Sequence, residues 1–74
     1  MKIYELRSEG GLCLAVLHES AANKLVSEAE CEESSKNIDG YDTNVFVFTR
    51  DMATVFPING WTIPIYKGSY LRRQ

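Results

Sequence analysis

Long hydrophobic runs, histidine, proline and cysteine are all scarce in this 74-residue chain, and each scarcity closes off a class of protein. The longest apolar run, Leu12-Cys-Leu-Ala-Val-Leu17, falls far short of the roughly 20 residues that span a bilayer, which excludes a transmembrane helix. Met1-Lys2-Ile3-Tyr4 leads straight into alternating sequence without the charged, apolar and small-residue zones of a secretory signal. The expected location is therefore cytoplasmic. Cys13 and Cys31 are the only cysteines. Small secreted scaffolds usually carry more, so both are read as buried or unpaired thiols.

Chemistry-bearing groups are equally sparse. His18 is the sole histidine, and its neighbours Glu19 and Ser20 bring base, acid and hydroxyl together only in sequence. Adjacent strand residues point to opposite sides, so this is not a catalytic constellation. Cys13, His18 and Cys31 match no paired zinc-ligand spacing. The acids Glu32, Glu33, Asp39 and Asp42 lack the alternating spacing of a calcium loop. Gly10-Gly11 joins two strand-like segments, whereas a phosphate-binding loop leads from a strand into a helix. The sequence thus reads as non-enzymatic, with no metal and no cofactor.

What is present is enough for one core. At 45% hydrophobic and 24% charged, with eleven per cent aromatics, the composition lies away from that of disordered chains. The length allows one domain over residues 1–74, with residues 68–74 free to form a flexible basic tail.

Lys2 to Arg7 and Leu12 to Leu17 read as strands of a hairpin turned at Ser8-Glu9-Gly10-Gly11. A two-residue and a three-residue loop set opposite faces of the second strand against Tyr4 and Leu6, so both registers stand; the three-residue loop, Glu9-Gly10-Gly11, would pair Leu6 with Leu14 and Tyr4 with Val16 and gives the more apolar shared face. The second strand is apolar throughout, the pattern of a central strand covered on both faces. Ser20 is a good helix N-cap, and Ala21, Ala22, Leu25, Val26 and Ala29 recur on one stripe, predicting a helix over Ala21 to Cys31. Glu30 to Thr43 reads as a long polar loop, and Val45 to Thr49 as a strand.

Asn59-Gly60 is the clearest turn signal, a type I′ hairpin between apolar segments. It would set Ile58 opposite Trp61, Phe56 opposite Ile63 and Thr54 opposite Ile65, with Pro57 and Pro64 at non-hydrogen-bonded pairs. The expected fold class is α+β: a small, mainly antiparallel sheet of four to five strands with one amphipathic helix on one face, in the order ββαββ(β).

Charge is better organised than catalytic groups. Glu28, Glu30, Glu32, Glu33, Asp39 and Asp42 face only Lys36 within one segment, whereas no acid follows Asp51 and Lys67, Arg72 and Arg73 make the terminus basic. The leading reading is a small protein-interaction or regulatory module that docks on a basic partner through Glu30, Glu32, Glu33, Asp39 and Asp42. One alternative is a single-stranded nucleic-acid binder using Tyr66, Lys67, Tyr70, Arg72 and Arg73, which interleave aromatics with cations. The net charge of −2 weighs against it. Another is a homodimer with a small-molecule or catalytic site shared between subunits. In layout alone the chain looks like small phage and mobile-element proteins that act by binding.

Overall fold

The computed structural model describes residues 2–58 and 61–73, with the backbone alone for residues 52–58 and 61–63. The elements run β1 (Ile3–Arg7), β2 (Cys13–His18), α1 (Glu19–Glu28), β3 (Cys31–Ile38), β4 (Tyr41–Phe48), β5 (Met52–Ile58), β6 (Trp61–Ile65) and β7 (Tyr70–Arg73). Five of the strands form an antiparallel sheet in the order β2-β1-β7-β4-β3, and β5 and β6 form a separate two-stranded ribbon. This is a small α+β fold.

The first hairpin turns where Ser8 and the two glycines place it. Gly11 N–H donates to Ser8 O (2.9 Å), Leu12 N–H to Ser8 Oγ (3.1 Å), and Gly11 adopts φ +91°, a conformation that favours glycine. Arg7 lies opposite Cys13, as a three-residue loop requires, but an irregularity then shifts the register so that Leu6 pairs with Ala15 and Tyr4 with Leu17. This corrects the expected pairing of Leu6 with Leu14. The shift brings both Leu14 and Ala15 against the helix-side core. It also accounts for the unbroken apolar run: β2 is an edge strand, not the central one, and leaves Leu12 and Val16 exposed at 69% and 52%.

The helix starts earlier than Ser20 predicts. Glu19 N–H still donates to Lys2 O, so β2 passes into α1 without a loop; His18 occupies the cap position and makes no side-chain cap bond. The helix ends at Glu28, with Ala29 as its C-cap, and Cys31 begins β3. Ala22 and Leu25 are buried against Leu6, Leu17, Phe48, Ile65 and Leu71, while Val26 and Ala29 add partial cover. Alanines let the helix approach the sheet closely, and leucines and phenylalanine fill the layer between.

The larger correction concerns residues 30–43. They form β3, a tight turn and the start of β4 instead of a loop. Asp39 and Gly40 have φ of 53° and 86°, the two positive angles of a type I′ turn, and Asn37 Oδ1 accepts the Gly40 N–H at 3.2 Å. The polar sequence of β3 hides it because most of its side chains on both faces meet solvent, leaving no alternation to read. The ladder to β4 holds it in place.

The terminal basic segment is the central strand. Leu71 pairs with Leu6 on one side and Phe46 on the other, while Tyr70 pairs with Arg7 and Val47. The connection from the ribbon is pinned by Lys67 N–H to Asp51 Oδ1 (2.7 Å), Gly68 N–H to Phe48 O (2.9 Å) and Phe48 N–H to Ser69 O (2.8 Å). In the ribbon, Ile58 faces Trp61 and Phe56 faces Ile63 as the sequence predicts, whereas a register shift sets Met52, not Thr54, opposite Ile65. The Asn59-Gly60 turn and the side chain of Trp61 lie outside the described residues.

Leu71 is buried in the middle of the sheet, so Leu71→Ala is expected to cost about 2–5 kcal/mol by urea or guanidinium denaturation. Leu12→Ser, at a solvent-exposed site, should change stability by no more than about 0.5 kcal/mol.

Candidate functional site

Antiparallel partners share a face, so the register sorts every side chain of the sheet. The face opposite the helix carries Glu5, Arg7, Tyr70, Arg72, Val45, Lys36 and Ile38. Glu5, only 8% exposed, accepts from Arg7 Nη2 at 3.3 and 3.2 Å and lies 3.8 Å from Arg72 Nη1. The hydrogen bond to Glu5 holds the Arg7 guanidinium above its ordinary range against the opposing effect of burial. Lys36 Nζ stands 5.1 Å from the centre of the Tyr70 ring, and Ile38, Val45 and Tyr70 pack beneath with Val47 beside them.

This network disperses the candidate nucleic-acid residues. Tyr70 is 2% exposed and Arg72 is engaged with Glu5, while Arg73 lies on the helix face beside Tyr4. Tyr66 and Lys67 are exposed in the preceding turn. The structure does not bring the five onto one platform.

The acidic residues are gathered differently. β3 is one of the two edges of the sheet, and its alternation puts Glu32 on the face opposite the helix and Glu33 on the helix face, where Asp42 also lies opposite Asn37. Asp39 sits in the turn. All four are exposed, and no cation pairs with them among the described residues. Glu30 is different: it lies just before β3, where its Oε2 accepts from Arg50 Nη1 at 3.3 Å and its Oε1 from Thr49 Oγ1 at 3.3 Å.

The backbone of β3 adds a directional element. Thr49 N–H donates to Glu30 O at 3.0 Å, and Phe48 N–H is committed to Ser69. Even-numbered β3 residues therefore bond to β4, and Glu33, Ser35 and Asn37 turn their N–H groups to the open edge. Sequence reading could have found this strand from Asp39-Gly40 between Ile38 and Tyr41, a turn signal of the same kind as Asn59-Gly60.

Cys13 and Cys31 are both free thiols on opposite edge strands of the sheet, so they do not converge with each other. His18 is exposed at the end of β2. No known protein family matches the chain, and neither a curated protein nor a solved structure shows significant similarity to it.

Burial pushes the Cys31 thiol up, whereas Cys13 is exposed. Because the thiolate is the nucleophile, alkylation at about pH 8 should label Cys13 first and Cys31 several-fold more slowly, as read by peptide mass spectrometry. Equal rates would contradict the burial of Cys31.

Proposed function

We propose that this protein is a small, non-enzymatic binding module that captures a basic, extended segment of a partner protein by strand addition along β3. The observation that carries this reading is a free edge strand with outward N–H groups at Glu33, Ser35 and Asn37 and with unpaired carboxylates on both of its faces. A flat docking surface would meet only one of these faces. An added strand meets both, because its own side chains alternate.

The chemistry of the partner follows from the charge. Lysines and arginines placed along an added strand would lie beside Glu32 on one face and Glu33 on the other, where opposite charges across strands contribute roughly 0.2–1 kcal/mol each, while Asp42 adds negative charge from β4, one strand further in. Asp39 extends the negative field at the turn end of the strand and favours rapid encounter, whereas Glu30 at the other end is already paired with Arg50. The same carboxylates oppose self-pairing of β3, since a second copy would bring acids against acids. The nucleic-acid alternative has less support, because Tyr70 is buried and Arg72 is held by Glu5.

The probe is an extended peptide of repeating Lys-Lys-Val-Val, which sets lysines on both faces of an added strand, titrated by calorimetry and by amide chemical shifts. Binding should be salt-sensitive, perturb β3 amides, and fall at least about fivefold when Glu32, Glu33, Asp39 and Asp42 become Gln or Asn. Ser35→Pro removes an outward donor without touching the β3-β4 bonds. It should abolish binding with all acids present. Full affinity in Ser35→Pro would refute strand addition, and full affinity in the neutralised variant would refute the electrostatic selection.

A further inference from the structure

A second feature lies on the helix face, beyond the reach of α1. There the sheet holds a cavity of about 280 Å³ lined by Tyr4, Glu33, Asn44, Phe46, Leu71 and Arg73, together with Val45; none of its lining residues belongs to the helix. The register explains why these residues meet. Arg73 lies beside Tyr4, and Leu71 beside Phe46, which is opposite Glu33. Val45 pairs with Arg72, so Asn44 comes next to Arg73 in the following row.

The arrangement has two ends. At one, the Arg73 guanidinium, the Asn44 carboxamide and the Tyr4 phenol supply donors; at the other, the Glu33 carboxylate supplies negative charge. Phe46 and Leu71 lie between them as an apolar floor. The backbones of Arg73 and Glu33 are two strand spacings and one row apart, roughly 12 Å, and neither has an ion-pair partner among the described residues. Small-molecule sites combine apolar surface with polar groups that fix orientation, and this lining holds the two in about equal measure. The volume restricts the occupant to something smaller than a drug-sized ligand.

We propose that this cavity binds a small monocarboxylate with a flat apolar body. The carboxylate is held by Arg73, whose planar fork matches its two oxygens, with Asn44 and Tyr4 as flanking donors. The body lies over Phe46 and Leu71. Glu33 rejects a second acidic group at the far end and tolerates a neutral or cationic one, so the site discriminates by the charge of the distal substituent.

The test is titration of the full chain with 3-phenylpropionate, followed by amide chemical shifts. Saturable shifts should cluster at Tyr4, Asn44, Phe46, Leu71 and Arg73, and the neutral 3-phenylpropanamide should bind at least about tenfold more weakly. Arg73→Gln should weaken 3-phenylpropionate to the same degree. Asn44→Asp, which sets a carboxylate beside Arg73, should abolish binding and serves as a second variant. A para-carboxylated analogue should bind poorly to the native chain and recover in Glu33→Gln. Ser35→Pro, which blocks the β3 edge, should leave 3-phenylpropionate binding intact, separating this site from strand addition. An absence of saturable shifts at the cavity, or unchanged affinity in Arg73→Gln, would overturn the proposal.

Discussion

The pairing of β7 between β1 and β4 is the constraint on which the rest of the molecule depends. Leu71 joins Leu6 and Phe46 into one row on the helix face, and Tyr70 joins Arg7 and Val47 on the other. Without that strand the first hairpin and the β3-β4 hairpin have no shared hydrogen bonds in the sheet. Each would be a two-stranded ribbon, a unit that is at best marginally stable in water. The core shows the same dependence: Leu6 and Leu17 from the first hairpin, Phe48 from the second and Leu71 between them form one cluster with α1.

The register of β7 is fixed from both faces. A slip of one residue would turn Arg72 toward the apolar helix side and Leu71 away from it. In the native register Arg72 shares Glu5 with Arg7, and the two arginines stand opposite Val45 and Tyr70 respectively. Removing charges from water costs free energy, so the network is better understood as selecting one register than as a large source of stability. The ribbon that precedes β7 contributes Ile65 to the core, and the backbone bonds at Lys67, Gly68 and Ser69 deliver the chain to its slot. Because that slot joins the two ends of the chain, the sheet closes through contacts of long sequence separation.

The two edges of the sheet have opposite characters. β2 runs from Cys13 to His18 without an acid or a lysine, and the register shift near its start interrupts the edge. β3 is regular over its whole length and acidic on both faces. Regularity makes β3 the better template for an added strand, and its charge restricts which strand can be added. The cavity on the helix face has a separate origin: α1 is short and packs over β1 and β2, and none of the described helix residues lines the rows around Arg73, Asn44 and Glu33.

Local chemistry determined what the sequence could show by itself. Ser8 with two glycines specified the first turn, the alanine and leucine stripe specified a helix, and the ribbon register at Ile58-Trp61 and Phe56-Ile63 followed from a two-residue connection. The segregation of acids from bases was equally legible, being a property of residue order along the chain. Tertiary structure decided the rest. Cys31–Ile38 became a strand because β4 offered a ladder, in spite of a polar sequence with no period. The unbroken apolar run of β2 became an edge strand paired with β1 alone, with a register shift bringing the neighbours Leu14 and Ala15 both onto the core. The basic terminus became the central strand because Glu5 and Arg7 could receive Arg72 and Tyr70. Turns and helices are set by residues a few positions apart, whereas the partner of a strand is chosen among distant segments by which closure buries the most apolar surface with its charges paired.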